Sequence, residues 1–239
     1  ARVTVQNSHV SDNGDDGLCV EGSAQVSLTN SRISGNRRGL GVWGSAQVTL
    51  QDCKISDNDE DGLEVWGSAW VSLTNSIVSG NGDDGLCVKD SARVTLQDSK
   101  VSDNESSGLE VGWNAQVNLQ DSQVSGNYRG LFVQHSAQVN LISSTVSSNR
   151  CGLWVEQSAQ VSLQDSTVSR NRWSGLVMWG SARASIQRSL IEGNGTADGW
   201  KKEWHCSGIV VEDKAHVDHD PEQPRLGHRR LSWEVRVLD

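Results

Sequence analysis

The sequence predicts an all-β chain wound into a parallel solenoid of about nine coils, each of 22–23 residues and three strands. Three observations predict it. Asn recurs at almost constant spacing, as Asn13, Asn36, Asn58, Asn81, Asn104, Asn127, Asn149, Asn171 and Asn194. Each closes a frame Ala-x-Val-x-Leu-x-x-Ser-x-Val-Ser-x-Asn and is followed by a short turn and Gly-Leu-x-Val. Within the frame apolar and polar residues alternate, which is the period of a strand and not of a helix. A unit this short cannot bury its own apolar side chains, whereas a stack of like units can.

The unit opening at Ala46 shows the elements in order. In the first strand Ala46, Val48 and Leu50 face inward, while Gln47, Thr49 and Gln51 face outward. A second short strand turns Cys53 and Ile55 inward. Asn58, a polar turn and Gly62 follow. The third strand then places Leu63 and Val65 inward and Glu64 and Trp66 outward. Equivalent strands of successive units stack in parallel about 4.8 Å apart, giving three faces. The larger inward side chains contribute about 1.5–3 kcal/mol each on burial, offset by the entropy of ordering the rung, so stability belongs to the stack.

Three columns punctuate the rungs. A Ser column holds small side chains where the chain bends, and Cys53 takes one of its places as a small buried hydrophobe. The Asn column fits left-handed backbone at a tight turn and can hydrogen-bond from rung to rung. The Gly column, from Gly17 to Gly208, is expected to supply positive φ at the end of that turn.

The Asn-x-x-x-Gly-Leu/Ile-x-Val repeats resemble the right-handed parallel β-helix repeats of the pectin-lyase-like superfamily, in particular its carbohydrate-binding and sugar-hydrolase β-helix domains. The resemblance covers roughly residues 1–218. It implies a single-stranded right-handed coil, in accord with the general handedness of parallel crossovers. It leaves activity open, because the superfamily includes lyases, hydrolases, adhesins and modules without activity. The domain reading is β-helix over 1–218, with an insertion at 195–207 in the ninth coil and a capping segment at 219–239.

The chain has 239 residues and a formal net charge of −9. That balance argues against a nucleic-acid partner, which calls for a basic stripe. No apolar run approaches a membrane span, no signal peptide is seen, and no cofactor motif is present. The chain starts on a repeat boundary, which reads as a fragment or a processed form. A bare first rung would be an open edge able to pair end to end with another copy. Cys19 and Cys87 share a column three rungs apart, too far for a disulfide.

In a solenoid the repeated columns belong to the fold, so function is sought where they break. The outer face of the third strand carries Trp43, Trp66, Trp154 and Trp179, with Trp113 one place later than its counterparts. Interleaved with Glu64, Lys89 and Glu110, these rings form a ridge suited to stacking a sugar or a protein partner. Trp200 and Trp204, on the ninth-coil insertion, are placed beside that ridge as a lid or cap. Cys87 is read as exposed between Glu64 and Glu110. Those carboxylates lie two rungs apart, about 9.6 Å between backbones, which gives the alternative reading of a polysaccharide lyase or glycoside hydrolase.

The turn after each Asn is acidic in rungs three to five and basic in rungs six to eight, where it reads Tyr128-Arg129, Arg150-Cys151 and Arg172-Trp173-Ser174. Asp57, Asp59, Asp61, Asp83 and Asp84 offer the oxygen ligands that Ca²⁺ favours, but in no EF-hand or nonapeptide pattern. The leading expectation is a non-enzymatic module that binds a glycan or a protein through the third-strand face. A spacer whose only property is length is the third reading.

Overall fold

A computed structural model of the chain describes residues 1–195, 208–212, 214–219 and 236–238. Among them every regular element is a strand, and the strands form three parallel sheets. The first sheet holds ten strands, the second nine and the third ten. In the unit from Ala46 the strands are Gln47–Gln51, Lys54–Ser56 and Leu63–Val65. Each pairs in register with its copy one rung on: Val48 with Val71, Ile55 with Val78, Leu63 with Leu86. Arg236–Leu238 adds to the third sheet beside Ile209–Glu212. No helix among the described residues is long and apolar enough to cross a membrane.

The inward columns are sealed. Ala46, Val48, Leu50, Ile55, Leu63 and Val65 are fully buried, and one apolar cluster runs from Val20 to Ile209. The Asn column is a buried ladder. The side-chain amide of Asn36 donates to Oδ1 of Asn58 (3.1 Å), that of Asn58 to Asn81 (2.9 Å) and that of Asn81 to Asn104 (2.8 Å). The backbone N–H of each lower Asn donates to the same oxygen. The Ser column forms a second ladder, in which Ser76 N–H donates to Ser99 Oγ and Ser99 N–H to Ser122 Oγ, both at 3.1 Å.

Two sequence expectations are corrected here. The left-handed residue at the Asn turn is the one before the Asn: Asp12, Gly35, Asp57, Gly80, Asp103 and Gly126 have φ between 59° and 75°. The Asn itself keeps ordinary backbone, because its amide must point along the stack. The Gly column likewise lacks positive φ; its requirement is space. A Cβ on Gly62 would lie 2.7 Å from the carbonyl oxygen of Gly85 and 2.8 Å from Nδ2 of Asn81. Cys53 is buried in the apolar core as expected, and its thiol also donates to the Gln51 carbonyl (3.2 Å) as Ser76 Oγ does to Thr74 (2.9 Å).

Candidate functional site on the third sheet

The outer face of the third sheet is more closed than alternation implies. Cys19 is exposed, but Cys87 is only 3% exposed, and Val177 and Val210 are buried. Lys89 lies against both Cys87 and Glu110, and burial pushes the Cys87 thiol far up. Val177 and Val210 join Cys151 in a small external cluster against which Trp154, Trp173 and Trp179 pack. The four described cysteines, Cys19, Cys53, Cys87 and Cys151, are free thiols.

Glu64 and Glu110 both sit on this face, half-buried, and each is engaged. Glu64 is ion-paired with Arg38, whose guanidinium also holds Asp16 (2.7 Å). Glu110 takes the Lys89 ammonium (3.3 Å) and the Gln134 amide (3.0 Å) on one oxygen. Behind them lie two carboxyls that sequence reasoning placed only in a Ca²⁺ set. Asp84 N–H donates to Asp61 (3.0 Å), and Asp84 in turn accepts from Ser107 N–H (2.6 Å). Burial raises Asp61 to about 7. Burial, reinforced by a hydrogen bond with Glu110, raises Asp84 to about 8.

Asp61, Asp83 and Asp84 bring ligand oxygens within 4.8 Å of one another, and Asp84, Cys87 and Glu110 do the same with mixed donors. Asp57 and Asp59 stand outside both groups; Asp57 pairs with Arg32 at 3.0 Å.

The tryptophans divide into two kinds. Trp43, Trp154 and Trp179 are half-buried: Arg38 lies 5.3 Å from the Trp43 ring, and Trp154 stacks on Trp179 at 5.6 Å. Trp66 and Trp113 are 40% and 44% exposed. Between them sits Lys89, its ammonium 5.9 Å from each ring. Trp113 occupies the turn position of Gly67, Asp90 and His135, and has φ 56°. Its ring lies flat on His135, 4.9 Å away and 4° from parallel. The missing place one residue earlier is Gly112, where a Cβ would meet nothing nearer than 3.6 Å. The late position of Trp113 was visible in the sequence; its left-handed backbone was not. Trp200 and Trp204 lie outside the described residues.

The family model described as right handed beta helix region matches residues 1–65 and 61–218. The chain belongs to the right-handed β-helix family. This β-helix is similar to the crystal structure of pectate lyase Pel9A at 9% identity, over 93% of this chain and 69% of the other, with a TM-score of 0.62. It is also similar to the A-module of the Azotobacter vinelandii mannuronan C-5 epimerase AlgE4 at 13% identity, over 92% of this chain and 86% of the other, with a TM-score of 0.52. At these identities the likeness establishes the fold of the β-helix. No curated protein matches its sequence.

Proposed function

We propose that this β-helix is a binding module whose ligand is a glycan, held on the third-sheet face between Trp66 and Trp113. The observation that carries the reading is the backbone of Trp113. The left-handed turn itself belongs to the fold, recurring at Gly44, Gly67, Asp90, His135, Gln157 and Gly180; filling it with an indole rather than Gly costs about 1–3 kcal/mol. Here it holds an indole in solvent, opposite a second exposed indole, where it adds nothing to the core. Two such rings offer apolar platforms for sugar faces, and Lys89, Glu110 and Gln134 offer donors and acceptors for hydroxyls. The names of the two structural relatives, a pectate lyase and a mannuronan epimerase, favour polysaccharides as the class.

Binding is preferred to catalysis because Glu64 and Glu110 are each neutralised by a cation, while Asp84 lies only 3% exposed behind them. The lyase or hydrolase reading has one observation in its favour, the proton that Asp84 keeps beside Glu110 into the neutral range. A glycan array probed with the parent and with Trp66→Ala tests the proposal. Binding of a glycan that weakens about tenfold in the variant supports it, since an aromatic contact of this kind is worth about 1 kcal/mol or more. Absence of any glycan hit turns the assignment to a protein partner or a spacer. Turnover of a polysaccharide by the parent but not by Glu64→Gln or Glu110→Gln establishes the enzyme instead.

A further inference from the structure

The basic half of the turn edge is not explained by the site between Trp66 and Trp113. In rungs six to eight Arg129 lies over three rings, 4.6 Å from Phe132, 5.3 Å from Trp154 and 5.5 Å from Tyr128. Arg150 lies over the same Tyr128 at 5.3 Å. Tyr128 is 37% exposed and meets Trp173 edge-on at 5.5 Å. Among the described residues neither Arg129 nor Arg150 has a carboxylate within 4.0 Å, whereas Arg32, Arg37, Arg38 and Arg188 all do. Arg129 Nε is also buried without a hydrogen-bond partner. Among the described residues Arg2, Arg93, Arg170, Arg172 and Arg183 show no such partner either; what sets Arg129 and Arg150 apart, in a chain of net charge −9, is that both lie over one exposed ring.

We infer that this edge is a second site, for a ring that carries a tetrahedral oxyanion ester, either sulfate or phosphate. The aromatic contacts engage the guanidinium charge but offer no acceptor to its N–H groups. Those groups form planar forks that bind oxyanions in pairs of parallel hydrogen bonds. One carboxylate has two oxygens and satisfies a single fork; an ester of sulfate or phosphate has three free oxygens and serves both. Tyr128 and Trp173 supply the apolar surface on which the ring bearing the ester rests. The acidic turns of rungs three to five repel the same ligand, which confines it to this end.

The test compares one backbone bearing four chemistries: plain dextran, carboxymethyl dextran, dextran sulfate and phosphorylated dextran, titrated by calorimetry at equal charge density. The expected result is that an ester-bearing polymer binds about tenfold tighter than the carboxymethyl form, and the tighter of the two esters names the natural group. Arg150→Gln and Arg129→Gln each weaken that binding about tenfold. Arg37→Gln, at an arginine already paired with Asp15 and Glu60, leaves it unchanged. Arg150 lies on a turn, so its variant also guards against misfolding as an explanation. The inference is overturned if neither ester binds, if the carboxymethyl form binds as tightly, or if both arginine variants bind like the parent. Trp66→Ala retains this binding, so the two sites fail or stand separately.

Discussion

Asn81 accepts two hydrogen bonds from Asn58 on a single oxygen: the Asn58 side-chain amide donates at 2.9 Å and its backbone N–H at 3.3 Å. Both residues are 2% exposed or less, so no water replaces what either loses. Asn81→Ala therefore orphans two donors on the rung below and removes one of the two donors to Asn104 Oδ1 above, the backbone N–H remaining. The expected loss is about 2–3 kcal/mol, read as a fall in the urea midpoint. A midpoint equal to the parent's would show that the ladder does not hold the rungs together.

Glycine at the end of the Asn turn is required for space, and a pair of substitutions shows it. A Cβ on Gly85 would lie 2.6 Å from the Gly108 carbonyl oxygen and 2.7 Å from both Asn104 and Val101. Gly85→Ala costs about 1–3 kcal/mol through overpacking. Gly112→Ala, with its nearest contact at 3.6 Å, stays within about 0.5 kcal/mol of the parent. Equal midpoints for the two variants would contradict the close approach.

Arg38 and Arg37 are sequence neighbours with opposite weights. The Arg38 side chain is 17% exposed and holds Asp16 and Glu64, themselves 8% and 13% exposed. Arg38→Ala leaves two poorly solvated carboxylates unpaired, at a cost of about 3 kcal/mol. Arg37, 41% exposed with partners in solvent, is replaced by Ala without a resolvable change in midpoint. The reverse order of effects would place the structural ion pair on the wrong arginine.

Much of this fold is legible in the sequence because alternation with a fixed period leaves one choice of inward columns; Val48, Leu50, Ile55, Leu63 and Val65 follow from it directly. The turns are harder. Their left-handed residue is variously Asp, Gly, Ser or Arg, and the invariant Asn and Gly beside it draw attention to themselves for other reasons, a ladder and a close approach. On the third sheet Glu64, Glu110, Lys89 and the tryptophans were found by pattern. The burial of Cys87 was not, because it depends on the long side chains around it, Lys89 on its own rung and Glu110 on the next among them. The neutral-range carboxyls Asp61 and Asp84 were seen as ligands and not as proton carriers, since desolvation is set by neighbours from adjoining rungs.

Those two carboxyls give stability a pH dependence of definite sign. Their folded pKa values, about 7 and about 8, lie above the ordinary carboxylate value of 3.8. The folded state thus keeps protons that the unfolded chain releases. The associated stabilisation is complete below about pH 4 and is lost as pH rises through 7–8. The urea midpoint is expected to fall between pH 5 and about pH 8.5, and Asp84→Asn, which cannot ionise, flattens the fall. A midpoint that rises over this range, or a fall unchanged in Asp84→Asn, would contradict the burial of these groups.

The most direct test of the central claim, that Trp113 is held in a strained turn for the sake of a ligand, measures unfolding and glycan binding together in Trp113→Gly. Glycine relieves about 1–3 kcal/mol of backbone strain and forfeits about 0.5–1.5 kcal/mol of stacking on His135. The account predicts a urea midpoint equal to or above the parent's, with affinity for the glycan identified by the array reduced about tenfold or more. A variant that binds as the parent does, or one that loses stability while its affinity holds, would contradict it.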